Sequence, residues 1–305
     1  MKNQIIILSG PTATGKTNLA IELAAQFNLP IVNFDSLLFY RELSIGTAKP
    51  TDEERRLAEH YMIDVTSILS PLNAADYVKI CSPLMDQLLQ KHPALLLVGG
   101  SGFYLRALIQ GMYPSPTTPP EIQQKSELLY SKSGIAPFIE ILKTNDPLSF
   151  EKLHTNDHYR IRRAVEHYWS HGQAFGLAVK NFEHIAQKPR WKTLHLHIDL
   201  PKPFHLEVIA KRTKNMLALG LIEEVRELLA KGFSGKERPL QSIGYKEVLE
   251  YLAQPSSLDY LQERINISTR QLAKAQRTWF KKIVNEVFHP VEQRQELFDR
   301  VKQLL

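Results

Sequence analysis

The sequence predicts an α/β protein in which a parallel sheet is flanked by helices and interrupted by an inserted all-helical subdomain. Short apolar runs alternate with helical stretches over roughly the first 110 residues, the pattern of a parallel sheet covered on both faces. A glycine-rich loop joins the first apolar run to a helix. Residues 121–188 then have helical character with little sign of strands, before an alternating segment at 193–200 resumes the sheet.

The glycine-rich loop is "GPTATGKT", which follows "IIILS" and precedes "NLAIELAAQF". It matches the phosphate-loop pattern, in which backbone N–H groups surround phosphate oxygens at a helix N-terminus. Lys16 can reach terminal phosphates, and the hydroxyl of Thr17 can hold Mg²⁺. The predicted phosphate-binding residues are Gly10, Pro11, Thr12, Ala13, Thr14, Gly15, Lys16 and Thr17. This strand, loop and helix predict a core like that of the P-loop NTPases.

Three further segments predict strands: "LPIVNFD", "PALLLVGG" and "TLHLHIDL". Ligands of parallel sheets bind at the carboxyl ends of the strands. We therefore expect Asp35 and the turn at 99–102 to lie near the phosphate loop. His195 and His197 alternate with apolar residues and have no metal-ligand neighbours in the sequence, so we interpret them as structural.

The proline-rich run "MYPSPTTPP" divides the chain. We predict a catalytic core formed by residues 1–115 and 189–305, and an inserted helical subdomain at 116–188. Residues 113–120 and the chain near 190 are the expected hinges between them.

Composition narrows the class of protein. The 305 residues carry 38 Lys and Arg against 32 Asp and Glu, a net charge of +6 that favours an anionic partner. Cys81 is the single cysteine, which leaves no intrachain disulfide or cysteine zinc cluster. The N-terminal apolar run is too short for a signal sequence, and no segment approaches the ~18 apolar residues of a membrane span. We expect a soluble, cytoplasmic protein that acts as a monomer.

The candidate chemistry is group transfer. "ALLLVGGSG" ends in glycines and Ser101, so the acidic residue that NTP-hydrolysing machines place there is missing. Asp35 is the best candidate for a general base, or else a turn or N-cap aspartate. Ser101 is either a second phosphate contact or part of a close strand–helix junction. Arg212 is a phosphate ligand or an ordinary surface arginine.

A run of arginines stands in the predicted subdomain. "HTNDHYRIRRAVE" places Arg160, Arg162 and Arg163 beside Tyr159. Such a run forms a solvated helix face, a phosphate lid or a clamp on an RNA backbone.

Six motifs occur in order over nearly the whole chain: "GPTATGKT", "FDSLLFYRELSIGTAKP", "VGGSGFYLRAL", "HTNDHYRIRRAVE", "QSIGYKE" and "TRQLAKAQRTW". Together they resemble the tRNA isopentenyltransferase family, also called tRNA dimethylallyltransferases. The resemblance implies transfer of a dimethylallyl group from dimethylallyl diphosphate to N6 of the adenosine 3′ to the anticodon, with Mg²⁺ as cofactor and the tRNA anticodon stem-loop as partner.

The resemblance also implies that the inserted subdomain at 116–188 binds tRNA, and it implies roles for individual residues. The catalytic set corresponds to Asp35, Ser101, Arg212 and Lys16, with Thr17 as the metal ligand. The residues that match tRNA-contacting segments are Asp35, Ser36, Leu37, Leu38, Gln123, Tyr159, Arg160, Ile161, Arg162, Arg163, Gln241, Ser242, Ile243, Gly244, Tyr245, Lys246, Lys274, Gln276, Arg277, Trp279 and Lys281.

The chain departs from the family pattern at four positions. Ser101 stands where threonine is usual, and Ala275 replaces an arginine in "AKRQ". Gln123 and Val208 stand where arginines are common. Each of the three arginine changes removes a possible phosphate or RNA contact.

Other functions remain open at this point. A small-molecule kinase would use Asp35 on an acceptor hydroxyl and an arginine lid over ATP. A non-catalytic RNA-binding relative and a transferase acting on free AMP or ADP are the remaining alternatives.

Overall fold

The structure is a computed structural model that describes residues 4–113, 115–185, 190–283 and 286–305. Within these residues one sheet is formed by the strands β1 (Gln4–Ser9), β2 (Ile31–Asn33), β3 (His60–Tyr61), β4 (Ala94–Gly99), β5 (Lys192–Ile198) and β6 (Glu286–Phe288). The strand order is β3-β2-β4-β1-β5-β6, and every pairing is parallel. The predicted parallel sheet is confirmed.

The described helices are α1 (Lys16–Phe27), α2 (Asp52–Leu57), α3 (Ala74–Leu89), α4 (Gly102–Gln110), α5 (Pro120–Ser133), α6 (Ala136–Asn145), α7 (Pro147–Lys152), α8 (His158–His171), α9 (Phe175–Ile185), α10 (Lys202–Ala218), α11 (Leu221–Ala230), α12 (Tyr245–Ala253), α13 (Leu258–Phe280) and α14 (Arg294–Leu304). None of the helices in the described ranges is both long enough and apolar enough to cross a membrane.

Alternate side chains of the central strand β1 enter two different cores. Ile6 and Leu8 join an apolar cluster with residues of α1 and α14. Ile5 and Ile7 join a second cluster on the other face, with residues of α3, α4 and α13. Both faces of the sheet are therefore covered by helices, which fixes the register of the strands because a one-residue slip would exchange the two sets.

His195 and His197 on β5 form a buried hydrogen-bonded group with Ser9 on β1. The Ser9 hydroxyl lies 2.7 Å from Nε2 of His195 and 2.9 Å from Nδ1 of His197. Desolvation, the largest cause for both imidazoles, lowers the pKa of each to about 4. Both rings are neutral at pH 7 and share one hydroxyl, in keeping with the structural role predicted for them.

The described chain divides into two compact units, Met1–Ile109 with Pro189–Leu305, and Gln110–Lys188. The first contains the sheet and a third apolar cluster built by α10 to α13 around Leu240 and Tyr245. The second contains helices α5 to α9 around Phe138, Ile161 and Val165. Of the expected hinge segments, Pro114 and residues 186–189 lie outside the described residues.

Candidate active site

The phosphate loop leaves β1 and enters α1 in a conformation that its glycines permit. Gly15 precedes α1 with a φ of 82°, in the left-handed region. A Cβ on Gly10 would stand 2.3 Å from the carbonyl oxygen of Ile198 on β5. The Thr14 hydroxyl donates to the carbonyl of Pro11 at 2.9 Å. These constraints close the loop in front of the N-terminus of a twelve-residue helix, where free N–H groups and the helix dipole favour an anion.

Lys16 points back into this loop. Its ammonium donates to the Pro11 carbonyl at 2.6 Å. Burial lowers the pKa of Lys16 to about 8; the Asp35 carboxylate opposes that shift, and the Arg212 guanidinium adds to it. The loop therefore holds a lysine that a bound anion would restore to its fully charged form.

Asp35 follows β2, and local hydrogen bonds hold both its side chain and its backbone. Its carboxylate caps a short 3-10 turn, Ser36–Phe39, through a 3.4 Å contact with the N–H of Leu37. Its own N–H donates to Asn33 Oδ1 at 2.8 Å, and Asn33 Nδ2 donates to its carbonyl at 3.0 Å. The carboxylate also opposes the lowering of the pKa that burial causes at Lys16 and at Arg212. The Asp35 carboxylate therefore does cap a turn, which was one of the two interpretations. It also interacts with the charges of Lys16 and Arg212 at the phosphate loop.

Arg212 on α10 is half-buried. Burial, its largest influence, lowers the pKa of its guanidinium, while Asp35 works in the opposite direction. Its Nη2 donates to the carbonyl of Thr47 at 3.4 Å. Two half-buried cations and one carboxylate thus act on one another at a loop shaped for an anion, which is the electrostatic arrangement of a phosphate-transfer or diphosphate-departure site.

Ser101 links two loops at the ends of β2 and β4. Its hydroxyl accepts from the N–H of Ser36 at 3.1 Å and lies 3.3 Å from the Ser36 hydroxyl. The neighbouring glycines serve close packing, since a Cβ on Gly100 would stand 2.4 Å from Gln276 Nε2 and one on Gly102 would stand 2.1 Å from the Trp279 ring. Close packing explains the glycines, while the phosphate contact of Ser101 remains a prediction.

Glu224 is a functional-site residue that sequence reasoning missed. Its carboxylate on α11 accepts from the N–H of Ser44 at 2.6 Å, the N–H of Gly46 at 3.1 Å and the hydroxyl of Tyr245 at 3.0 Å. These bonds fix the "SIGT" segment whose Thr47 carbonyl receives Arg212. No local sequence signal distinguishes Glu224 from Glu223 beside it.

The IPP transferase family model matches residues 38–283. The chain belongs to the IPP transferase family. The family resemblance drawn from the six motifs is confirmed, and so is the prediction that the chain is an enzyme that transfers a prenyl group. Family membership also favours transfer over the kinase alternative.

The sequences of known relatives align with this chain over most of its length. A tRNA dimethylallyltransferase of Bdellovibrio bacteriovorus is 39% identical over 283 residues, covering 92% of this chain and 91% of the relative. One from Geobacter metallireducens is 36% identical over 281 residues, covering 92% and 90%.

Solved structures show the same fold. A tRNA isopentenylpyrophosphate transferase of Bacillus halodurans aligns with a TM-score of 0.72 at 25% identity, covering 99% of this chain and 97% of that one. That of Staphylococcus epidermidis gives 0.70 at 28%, covering 99% and 98%. A eukaryotic dimethylallyltransferase acting on tRNA gives 0.81 at 24%, covering 99% and 77%, which supports the fold.

In this IPP transferase, the predicted RNA-contact residues on and just after α13 differ in exposure and in the residues that they contact. Lys274 and Lys281 are exposed, whereas Gln276 is buried. Arg277 is engaged by Asp199 at 2.7 Å. The Trp279 ring is half-buried, with the Arg106 guanidinium 6.0 Å from its centroid. A groove of about 400 Å³ on this helix is lined by Gln271, Lys274, Ala275, Thr278, Trp279 and Lys282.

The arginines of α8 also differ from one another. Arg160 is 66% exposed and pairs with Asp157 at 2.8 Å, one turn away. Arg162 lies over the Tyr130 ring at 4.5 Å and bonds Glu127 at 2.7 Å. Arg163 bonds Glu166 at 2.9 Å and also the hydroxyl of Thr118. Arg160 is therefore the one of these three most available to a partner.

The other predicted RNA-contact positions are mixed in exposure. Tyr159, Gln241 and Lys246 are exposed, and Ser36, Leu37, Leu38, Gln123, Ser242 and Ile243 are partly or wholly accessible. Ile161 is 2% exposed and Tyr245 is 0% exposed, both inside apolar clusters, and Gly244 is buried beside them. Packing of the helices covers the side chains of Ile161 and Tyr245, so an RNA contact at these two positions would have to be made by the backbone; the contact itself remains a prediction.

The site is compatible with Mg²⁺. Thr17 is partly exposed at the start of α1, and among the described residues its hydroxyl has no hydrogen-bond partner. No group of three or more His, Cys, Asp or Glu in the described ranges is arranged to hold a metal. Magnesium commonly binds through few protein oxygens together with substrate phosphates and water. A free hydroxyl beside an anion-binding loop fits that donor set.

Proposed function

We propose that the protein transfers a dimethylallyl group from dimethylallyl diphosphate to N6 of the adenosine 3′-adjacent to the anticodon in tRNA, giving N6-isopentenyladenosine. The convergence of Lys16, Arg212 and Asp35 at the phosphate loop carries this proposal. The names of the relatives, tRNA dimethylallyltransferases and tRNA isopentenylpyrophosphate transferases, support the substrate class.

The loop end of the site suits a departing diphosphate. As the bond between the allylic carbon and the diphosphate oxygen breaks, the electron pair leaves with the oxygen. Lys16, Arg212 and the amides at the start of α1 stabilise that growing negative charge in a water-poor setting. The two half-buried cations are held by the carbonyls of Pro11 and Thr47 before substrate arrives, so little reorganisation is needed during the reaction.

The other end needs a proton acceptor. The adenine N6 lone pair is delocalised into the ring and forms a bond to the allylic carbon while N6 loses a proton. The carboxylate of Asp35 receives that proton. General-base catalysis of this kind typically raises the rate about 10²–10⁴-fold. The target base must be flipped out of its stack to bring N6 to this carboxylate.

Thr17 would hold Mg²⁺ through its hydroxyl, and the ion would supply a Lewis acid for the diphosphate oxygens. Ser101, whose hydroxyl accepts from Ser36, retains its own hydrogen for donation to a phosphate or substrate oxygen. The hydrogen bond from the N–H of Ser36 to Ser101 joins the loop that carries Asp35 to the turn after β4.

A direct transfer assay tests the proposal. The protein is incubated with Mg²⁺, labelled dimethylallyl diphosphate and an anticodon stem-loop with adenosine 3′ of the anticodon, in parallel with full-length tRNA. We expect label in the RNA that Lys16→Ala and Asp35→Asn abolish. Label absent from both RNAs with folded protein, together with ATP-dependent phosphorylation of a small acceptor, would favour the kinase alternative.

A further inference from the structure

Both sides of residue Thr12 in the phosphate loop are held by side chains from distant parts of the chain. The Thr12 N–H donates to Oε1 of Gln276 at 2.9 Å. The Thr12 carbonyl accepts from Nε2 of His205 at 2.8 Å. Gln276 also donates from Nε2 to the carbonyl of Gly100 at 3.0 Å, so it joins the phosphate loop to the turn after β4.

His205 is itself oriented by an ion pair. Arg277 binds Asp199 through two nitrogens, with Nε 2.9 Å from both carboxylate oxygens and Nη2 2.7 Å from one of them. The same Nη2 lies 2.7 Å from Nδ1 of His205. A guanidinium can only donate, so Nδ1 accepts and Nε2 carries the hydrogen that reaches Thr12. Burial lowers the pKa of His205, which keeps the ring in this neutral form.

These anchors decide which way the loop peptides face. In a trans peptide the carbonyl and the N–H point in opposite directions. With the Thr12 N–H on Gln276, the Pro11 carbonyl faces the other way, where it accepts from Lys16 and Thr14. With the Thr12 carbonyl on His205, the N–H of Ala13 is turned away from that histidine.

Ala13 gives independent reason to expect an anchor. Its φ is 63°, in the left-handed region that residues with a Cβ seldom occupy. Such a strained conformation persists where surrounding contacts over-determine it. The bonds to the preceding carbonyl and N–H supply that constraint.

We propose that Gln276 and the Asp199–Arg277–His205 chain are positioning residues for the diphosphate, acting through the Thr12 peptides rather than by touching RNA. This rests on the proposed function for the identity of the anion. It gives Gln276 and Arg277 a role different from the RNA contacts expected from the sequence. Flipping the Thr12–Ala13 peptide would turn the Thr12 carbonyl to the side where the Ala13 N–H now lies. Flipping the Pro11–Thr12 peptide would take the Pro11 carbonyl away from Lys16 and Thr14. Either change alters the loop that meets the diphosphate, so losing an anchor weakens diphosphate binding.

The test separates the two ligands. Gln276→Met keeps a similar volume and removes both hydrogen bonds, and Gln295→Met on the exposed face of α14 is the matched control. Binding of inorganic diphosphate with Mg²⁺ is measured by calorimetry, binding of the anticodon stem-loop by filter retention, and folding by thermal denaturation. We expect Gln276→Met to raise the diphosphate Kd at least tenfold and leave the stem-loop Kd within twofold.

A second pair of variants guards against a misfolded protein. His205→Leu and Asp199→Asn attack the other side of Thr12 and should give the same selective loss. A stem-loop Kd that rises tenfold with an unchanged diphosphate Kd would overturn the proposal in favour of RNA contact. Equal weakening of both ligands with a fall in Tm would overturn it in favour of a purely structural role. These binding data do not depend on turnover, so failure of the transfer assay would count against the proposed function alone.

Discussion

At the scale of single residues, Asp35 combines a turn cap with the proposed catalytic base, and Asp35→Asn separates the two. Asparagine caps a turn about as well as aspartate, so the loop should keep its shape. It cannot accept the N6 proton, and we expect kcat to fall about 10²–10⁴-fold. Loss of a negative charge near Lys16 and Arg212 should leave the diphosphate Kd unchanged or lower. Asp299→Asn, on the exposed face of α14, controls for loss of charge. A kcat near that of the wild type would remove Asp35 as the base.

Lys16 predicts a pH dependence of diphosphate binding. Its pKa of about 8 in the free protein means that it is charged below pH 8 and increasingly neutral above it. The ligand for this measurement is dimethylallyl diphosphate, because the terminal phosphate of such an ester loses its last proton near pH 6 and the ligand is already fully charged in this window. The diphosphate Kd should therefore be level between pH 7 and 7.5 and rise towards about tenfold per pH unit well above pH 8. Calorimetry across pH 7–9.5 measures this.

Lys16→Arg provides the matched comparison, because a guanidinium remains charged throughout that range. Its diphosphate Kd should lack the rise. A level Kd in the wild type up to pH 9.5 would show that the ammonium is not the group that controls binding.

At the scale of elements, the sequence identified those parts of the fold whose signals are local. The four long apolar segments were recognised as strands, and the phosphate loop was recognised because its pattern is contiguous. Strands β3 and β6 contain two and three residues, too few for an alternation to be visible. Strand β2 also has three residues, but the apolar run "LPIVNFD" that contains it is longer than the strand. Glu224 contacts Ser44 across 180 residues, and Gln276 contacts Thr12 across 264. Contacts between such distant residues depend on the tertiary fold, and one sequence carries no sign of them.

The junction between the "SIGT" segment and α12 offers a stability prediction. A Cβ on Gly46 would stand 2.4 Å from the ring of Tyr245, which is fully buried. Overpacking of this kind typically costs 1–3 kcal/mol, and we expect Gly46→Ala to lower the free energy of unfolding by about that amount. Urea denaturation measures the loss.

A double-mutant cycle identifies the cause. Tyr245→Leu removes the ring and the hydroxyl bonded to Glu224, so it destabilises by itself. If the clash causes the effect, Gly46→Ala should cost much less in the Tyr245→Leu background than in the wild type. Strictly additive losses would mean that Gly46 is sensitive for a different reason.

At the scale of the whole molecule, the net charge of +6 favours an anionic partner but does not say where that partner binds. For that, the cations that are paired or partly buried within the protein must be distinguished from those exposed to solvent. Arg212 is half-buried at the phosphate loop, and Arg277 is paired with Asp199. Arg160, Lys274 and Lys281 are exposed. Composition predicts an anionic partner, but the structure decides which cations can meet it.

Arg160 provides the sharpest test of RNA binding at this scale, because α11 carries a close match. Arg160 is 66% exposed and pairs with Asp157 three residues earlier, while Arg226 is 58% exposed and pairs with Glu223 in the same spacing. A phosphate contact releases counterions, so its loss weakens binding and lowers the salt dependence. We expect Arg160→Ala to raise the stem-loop Kd several-fold and reduce the slope of log Kd against log salt by about one. Arg226→Ala should change neither, and the diphosphate Kd should stay constant in both. Equal effects of the two substitutions on stem-loop binding would mean that overall charge, and not a contact at α8, attracts the RNA.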